Sequence, residues 1–282
     1  DVYKRQPLER VLMPPGTSDS RHLGDNNAMP STATPLPLHE HLRRHARETP
    51  DRIAYLWYGQ PITWAQLDAA SDAFAARLQA LGVKKGEPVA LFMNNCPQYV
   101  MAHYGIQKVG AIVCPCGPLN KEHELEYQLT DLQARVIVAA DVLLPVVDKV
   151  RAKTALQQVF VVRYAELLPE GSPSIDVPAE LLAMRAAMAP VPAGCEDFLA
   201  ATRTGARPAP VALSMDDISL MTYTSGTTGL PKGAMLSYGN ATFKTAASAD
   251  CNGMTPHETL LAVAPLYPVS YTHLTLPTIY SV

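Results

Sequence analysis

Residues 88–93 read Pro88-Val89-Ala90-Leu91-Phe92-Met93, a continuous apolar run. A strand that is apolar at every position is typical of a parallel sheet with both faces covered by helices. Apolar strands and helical segments alternate from residue 88 to residue 162. The further strands are predicted over 111–114, 136–140 and 158–162, and the helices over 97–109, 121–131 and 142–150. This alternation predicts an α/β fold with a doubly wound, largely parallel sheet built from right-handed β-α-β units.

The regions on either side of this core give weaker patterns. Residues 163–215 are rich in proline and break the alternation, which predicts a surface connection with short helices near 179–188 and 196–202. The sheet is predicted to resume at Ile218. The amino-terminal side predicts a helix over 38–47, a strand over 52–58, a turn at Gly59-Gln60-Pro61 and a helix from Trp64 to about Leu81 with a capping box. After the sheet resumes, a helix is predicted over 239–250 and a strand over 260–264.

A second stretch carries the functional signal: residues 223–235 read Tyr-Thr-Ser-Gly-Thr-Thr-Gly-Leu-Pro-Lys-Gly-Ala-Met. It contains hydroxyl side chains, glycines and one cation, which are Thr224, Ser225, Thr227 and Thr228, then Gly226, Gly229 and Gly233, and finally Lys232. Glycine allows backbone N–H groups to converge on an anion, and hydroxyls add further donors. Because residues 218–223 read as a strand, the loop leaves a rigid edge. The stretch therefore predicts a polyphosphate-binding loop.

Two other interpretations of this loop are weaker. A Walker A loop needs glycine at the sixth position and Ser or Thr after the lysine. Counted from Gly226, the sixth position is Pro231, and Lys232 is followed by Gly233. An ordinary surface turn would explain a fragment such as Thr-Gly-Leu-Pro, but it does not explain the whole run of hydroxyls and glycines.

Composition excludes several classes of function. The chain has 282 residues and a net charge of −3, so it offers no basic field for nucleic acid. No apolar run approaches the ~18–20 residues that a membrane span needs, and the amino end lacks the apolar core of a signal peptide. Five scattered cysteines suit a reducing cytosol better than a disulfide framework. Cys114 and Cys116 are spaced as C-x-C without a partner pair, which favours buried packing cysteines over a metal site.

The two ends share a possible coding origin. Residues 1–6, Asp-Val-Tyr-Lys-Arg-Gln, can be encoded by GAT GTG TAT AAG AGA CAG. The reverse complement of that DNA, read from its third base, encodes Val-Ser-Tyr-Thr-His, which is the sequence of residues 269–273. This resembles a transposon adapter used in sequencing libraries. We therefore expect residues 1–6 and 269–282 to be adapter-derived.

The segment over residues 7–36 is rich in Pro, Ser, Thr and Gly and has no periodicity, which predicts a leader or a disordered segment. Met29 is a plausible start of translation, because Gly24-Asp25 can be encoded by a sequence resembling a ribosome-binding site. Residues 7–28 are then a translated leader.

The run over 223–235 closely resembles the phosphate-binding signature of the adenylate-forming superfamily, which includes acyl-CoA synthetases, luciferases and peptide-synthetase adenylation domains. Three further segments resemble fatty-acid and related acyl-CoA synthetases: Ile62–Leu67, Gly86–Tyr99 and Gly105–Pro115. In order and spacing these segments cover about residues 37–268. The resemblance implies that residues 37–268 are part of the large amino-terminal domain of such an enzyme, without its small carboxyl-terminal domain.

The resemblance also implies a chemistry and a set of site residues. The full-length enzyme would use ATP and Mg²⁺ to convert a carboxylic acid into an acyl-adenylate and pyrophosphate, and coenzyme A would then displace AMP. Thr224 is expected to contact Mg²⁺ and phosphate, and Lys232 to add positive charge. The residues that would cradle the phosphates are Ser225, Gly226, Thr227, Thr228 and Gly229, with Gly233 beside them. A cytoplasmic location is expected, with peripheral membrane contact left open, and this chain alone is expected to be inactive.

Several alternatives stay open at this point. Within the superfamily, an aryl-acid–CoA ligase or an amino-acid adenylation domain would carry the same loop, and the acyl pocket normally lies after residue 268. A non-catalytic binding module is an alternative of a different class, which the intact loop disfavours. Neither the acyl chain length nor the oligomeric state follows from the sequence.

The junction at residue 268 gives a first prediction. The adapter supplies the last two bases of the Pro268 codon, so the native codon began with C. Acyl-CoA synthetases usually read Pro-Leu-Tyr/Phe-His here, and a His codon begins with C. Resequencing the intact gene across the junction should show a His codon at position 268, and any other codon would refute this.

Overall fold

The architecture comes from a computed structural model that describes residues 36–170, 175–224, 231–255, 258–262, 266 and, as backbone only, 279–281. The described helices are α1 (Leu38–Glu48), α2 (Trp64–Ala80), α3 (Pro97–Lys108), α4 (Glu122–Leu132), α5 (Leu144–Arg151), α6 (Ala179–Ala186), α7 (Phe198–Thr202) and α8 (Tyr238–Cys251). The described strands are β1 (Ile53–Trp57), β2 (Gln60–Thr63), β3 (Pro88–Phe92), β4 (Ile112–Cys116), β5 (Val136–Ala140), β6 (Gln158–Val162), β7 (Glu196–Asp197), β8 (Ile218–Thr224), β9 (Lys232–Ser237), β10 (Leu260–Leu261) and β11 (Ile279–Ser281).

The larger sheet has the strand order β7-β6-β5-β3-β4-β8-β9 within the described residues. β3 pairs in parallel with β4 on one edge and with β5 on the other. β6, β7 and β8 are also parallel to their inner neighbours, whereas β9 runs antiparallel to β8. The α/β fold with a largely parallel, doubly wound sheet that the alternation predicts is therefore confirmed.

The two faces of this sheet belong to two separate cores. Along β3, Val89 and Leu91 lie in one apolar cluster with side chains of α2 and α3. Ala90 and Phe92 point to the opposite face, in a second cluster with side chains of α4 and α5. Successive side chains of a strand alternate between faces, so burial on both sides requires the continuous apolar run that the sequence shows.

The smaller sheet has the order β10-β11-β1-β2 within the described residues. β1 pairs antiparallel with β2 and in parallel with β11. β11 lies inside residues 269–282, for which the adapter origin stays a prediction. The amino-terminal leader and the junction residue Pro268 lie outside the described residues.

The predicted turn at Gly59-Gln60-Pro61 is wrong for its last two residues. Gln60 and Pro61 begin β2, and Pro61 lies opposite Leu56 of β1. The turn consists of Tyr58 and Gly59, whose φ angles are 48° and 86°. Positive φ at both central residues is characteristic of the hairpin turns whose twist matches that of the flanking strands.

The predicted surface connection over 163–215 is also partly wrong. Glu196–Asp197 forms β7 at the edge of the larger sheet, and Phe198 at the start of α7 is fully buried. Arg77 of α2 binds Glu196 through two hydrogen bonds of 2.8 Å, from Nε to Oε1 and from Nη2 to Oε2. This fork-shaped pair fixes the sheet edge against α2.

A buried cation joins α2 to α3. The Lys108 side chain is 0% exposed, and its Nζ donates to Asp68 Oδ1 at 2.6 Å, to Asp72 Oδ1 at 2.7 Å and to Ser71 Oγ at 2.9 Å. Gly105, one turn earlier on α3, allows this close approach because a Cβ there would lie 2.7 Å from Phe74 Cδ1. Gly105 and Lys108 of the segment Gly105–Pro115, which resembles acyl-CoA synthetases, therefore have a packing role.

The burial of this ion pair predicts that replacing Lys108 costs more stability than replacing an exposed lysine. Lys108→Met in the full-length protein should lower the free energy of unfolding by about 3 kcal/mol, because Asp68 and Asp72 lose their buried cation. Among the described residues, only the more distant Arg43, with Nη2 3.6 Å from Asp72 Oδ1, then remains beside the two carboxylates. The control is Lys149→Met, which breaks the exposed pair of Lys149 with Glu122 and should cost less than about 1 kcal/mol. Urea denaturation measures both. Equal losses for the two variants would contradict this account.

Candidate phosphate-binding site

The candidate site lies at the end of the β8–β9 hairpin where the connecting loop joins the two strands. In the antiparallel register, Tyr223 lies opposite Gly233 and Thr224 lies opposite Lys232. The hairpin is attached to the parallel sheet through the pairing of Leu220 with Val113 of β4. Thr224 and Lys232 are therefore the last paired residues before the loop. They lie at the end of the sheet to which the carboxyl end of β8 points.

The structure describes three of the predicted site residues. Thr224, Lys232 and Gly233 lie in strands, whereas the sequence assigned Lys232 and Gly233 to the loop. The other predicted residues, which are Ser225, Gly226, Thr227, Thr228 and Gly229, lie outside the described residues. Their role in binding phosphate stays a prediction.

The polar groups of the two facing residues are accessible. Thr224 and Lys232 are both exposed. Thr224 Oγ1 donates to the backbone oxygen of Lys232 at 3.5 Å, which is long for a hydroxyl donor. Both side chains thus lie exposed where the hairpin meets the loop.

Gly233 has a packing role that the sequence interpretation did not include. A Cβ at this position would lie 3.0 Å from Met221 Sδ and 3.4 Å from Tyr223 Cζ. Glycine therefore lets the Tyr223 ring lie against β9 directly beside the loop.

Tyr127 and Asp131 of α4 contact the two ends of the loop, and the sequence analysis missed both. The Tyr223 hydroxyl donates to Asp131 Oδ2 at 2.5 Å, and the Tyr127 hydroxyl donates to the backbone oxygen of Pro231 at 2.9 Å. Burial and the Asp131 carboxylate raise the pKa of Tyr223, so its hydroxyl stays a donor at neutral pH. These contacts join residues 92 and 104 positions apart, a range that local patterns do not reveal.

The donor chemistry at this end of the hairpin fits Mg²⁺. Mg²⁺ prefers oxygen ligands and commonly takes most of them from substrate phosphates and water. Thr224 offers one hydroxyl oxygen, and the described residues contain no group of three or more His, Cys, Asp or Glu side chains suited to hold a metal. A magnesium ion here would therefore depend mainly on oxygens of the nucleotide.

Cys114 and Cys116 are buried packing residues, as predicted. Each is 1% exposed in β4. Burial raises the pKa of the Cys116 thiol to about 12 and that of Cys114 well above its ordinary value, so both stay protonated at neutral pH. No helix of the described residues has the length and apolar character that crossing a bilayer requires.

Comparison with known proteins identifies the family. The sequence profile described as AMP-binding enzyme matches residues 42–280. The chain belongs to this family. A long-chain-fatty-acid–CoA ligase of Bacillus subtilis (strain 168) is 34% identical over 218 residues, which is 73% of this chain and 38% of the relative. A 4-coumarate–CoA ligase of Humulus lupulus is 27% identical over 243 residues, covering 83% of this chain and 40% of the relative.

Solved structures agree with the fold of an AMP-binding enzyme. A long-chain-fatty-acid–CoA ligase from Archaeoglobus fulgidus has a TM-score of 0.71 at 22% identity, covering 89% of this chain and 48% of that one. An anthranilate–CoA ligase in complex with anthranoyl-AMP has a TM-score of 0.70 at 23% identity, covering 88% and 45%. The chain thus spans less than half the length of these relatives.

The exposed position of Thr224 predicts that it matters little for folding. Thr224→Ala in the full-length protein should change the free energy of unfolding by less than about 0.5 kcal/mol. Thr245→Ala is the matched control, because Thr245 is 8% exposed and its Oγ1 donates to the Ala241 oxygen at 2.9 Å. The control should cost about 1 kcal/mol or more in urea denaturation. A larger loss of unfolding free energy for Thr224→Ala than for Thr245→Ala would contradict the exposed position of the Thr224 hydroxyl.

Proposed function

We propose that the full-length protein is an ATP-dependent acid–thiol ligase that forms AMP, an acyl-CoA synthetase. The observation that carries this proposal is the pairing of Thr224 with Lys232 at the end of the β8–β9 hairpin. It places the Thr224 hydroxyl at the start and the Lys232 cation at the end of a segment whose sequence is rich in glycine and hydroxyl residues. Membership of the AMP-binding enzymes supports a nucleotide as the ligand.

The first step of the proposed reaction joins the substrate carboxylate to the α-phosphorus of ATP. An oxygen–phosphorus bond forms, the bond between the α-phosphorus and the bridging oxygen breaks, and pyrophosphate leaves. Negative charge accumulates on the departing phosphates, so donors aimed at them lower the barrier. Thr224 and Lys232 would act on these oxygens, with backbone and side-chain donors over 225–229. Bound Mg²⁺ would neutralise part of the same charge.

In the second step the thiol of coenzyme A gives up its proton to water and its sulfur forms a bond with the acyl carbon. AMP leaves with the electron pair of the broken carbon–oxygen bond. We place residues 37–268 in the large amino-terminal domain, and we propose that downstream segments of the full-length protein supply the acyl pocket and the second step. The chain covers 38% of the Bacillus subtilis relative, which supports this division.

A long-chain fatty acid is the substrate class that we favour. Fatty-acid–CoA ligases of Bacillus subtilis and Escherichia coli are 34% and 36% identical to the chain. The second candidate is an aryl acid, which the 4-coumarate–CoA ligase at 27% identity supports. An amino-acid adenylation domain and a non-catalytic binding module remain lower-ranked alternatives.

We also propose a cytoplasmic location. The five cysteines are free thiols, which supports a reducing compartment.

The proposal is tested by ATP–pyrophosphate exchange with the full-length protein. Thr224→Ala and Lys232→Met should each lower the rate of exchange with a long-chain fatty acid by about 10²-fold, since each removes a donor to the departing phosphates. Thr154→Ala and Lys84→Met are the controls, because they remove a half-buried hydroxyl and an exposed cation away from the hairpin. Both controls should exchange at the wild-type rate.

Two outcomes would contradict the proposal. Exchange at the wild-type rate in both hairpin variants would refute the assigned site. A wild-type protein that exchanges pyrophosphate with no carboxylic acid would refute the ligase itself. Faster exchange with coumarate than with any fatty acid would select the aryl-acid candidate.

A further inference from the structure

Helix α4 contacts both strands of the hairpin at the positions where the loop begins and ends. Tyr127 binds the backbone of Pro231, immediately before β9. Asp131 binds Tyr223, the residue before Thr224. Tyr127 and Asp131 are four residues apart, so they lie on the same face of the helix.

The rings of the two tyrosines also meet. Their centroids are 6.4 Å apart with an interplanar angle of 82°, an edge-to-face contact. Gly233 leaves space for the Tyr223 ring on the β9 side. Tyr223 is thus held by α4 and by β9 together.

The helix itself is a fixed platform. Leu125 and Leu129 are fully buried in the core beneath the sheet. Two ion pairs join the exposed side of α4 to α5 and to the turn after it: Lys149 with Glu122 at 2.5 Å and Lys153 with Glu126 at 3.0 Å. Groups on such an element hold their partners more precisely than groups on a free loop.

We propose that Tyr127 and Asp131 are positioning residues that hold the two ends of the phosphate loop at a fixed separation. This inference rests on the proposed function of the loop. It extends that function to α4, whose side chains act through Tyr223 and Pro231 without touching the nucleotide. The spacing of Thr224 and Lys232 across the hairpin then depends on α4, and a nucleotide binds to ends that are already placed.

The test removes single polar groups from the full-length protein. Tyr127→Phe should raise the hydrogen-exchange rates of the backbone amides of residues 221–224 and 232–235 by about fivefold, because it removes one neutral hydrogen bond. Asp131→Asn should raise them by about tenfold, because the amide oxygen of asparagine accepts from Tyr223 without the assistance of a charge. The controls are Tyr164→Phe and Asp148→Asn. Tyr164 donates to the Asn95 oxygen at 2.8 Å, the same type of bond as that of Tyr127, and Asp148 is an exposed carboxylate on α5. The controls should leave these exchange rates unchanged.

A kinetic measurement separates positioning from a general loss of structure. In both α4 variants the KM for ATP should rise by about fivefold to tenfold, while the KM for the acid stays within about twofold of the wild type. The double variant Tyr223→Phe/Asp131→Asn should have the same KM for ATP as Tyr223→Phe alone, because both changes act on the same hydrogen bond.

Unchanged hydrogen-exchange rates in both α4 variants would overturn the positioning role. An unchanged KM for ATP despite faster hydrogen exchange would also overturn it. A parallel rise in the KM for the acid would also overturn it. If the wild-type protein forms no adenylate with any acid, the proposed function fails, while the exchange rates still decide whether α4 holds the hairpin.

Discussion

The parallel pairing of β3 with both β4 and β5 is the constraint on which the rest of the structure depends. Two paired edges leave the polar backbone of β3 satisfied, and an apolar side chain at each position drives helices onto both faces. α2 and α3 cover one face and α4 and α5 cover the other. The positions of β8, and therefore of the candidate site, follow from this layered arrangement, because β8 joins the same sheet beside β4.

The hairpin formed by β8 and β9 positions the candidate site on this sheet. β8 continues the parallel order, and β9 runs antiparallel to it. The loop between them therefore begins and ends at the same end of the sheet. The exposed residues Thr224 and Lys232 lie opposite each other there. Helix α4 contacts the hairpin through Tyr127 and Asp131. A chain that binds a highly charged group gains from donors placed in advance, because little ordering is then left for the binding step.

Local sequence patterns were enough to predict most elements of the sheet. The apolar runs of β3, β5 and β6 and the capping box at Thr63 and Gln66 are short-range signals, and the structure contains each of them. The phosphate-binding loop is predicted for the same reason, since its glycines and hydroxyls are contiguous, and its role stays a prediction.

Features that depend on distant partners could not be predicted in this way. β7 is only two residues long and is fixed by Arg77, 119 positions away. Pro61 was assigned to a turn because proline favours turns, although pairing with β1 makes it part of a strand. The contacts of α4 with the hairpin likewise join segments about a hundred residues apart, and neither segment alone indicates the other.

The central claim is that the end of the β8–β9 hairpin holds the phosphates of ATP. A crystal structure of the full-length protein with a non-hydrolysable ATP analogue and Mg²⁺ tests it most directly. The account predicts phosphate oxygens within hydrogen-bonding distance of Lys232 Nζ, with Thr224 Oγ1 directed at a phosphate oxygen or at the metal. A nucleotide whose phosphates lie away from this hairpin, in contact with neither residue, would contradict the account.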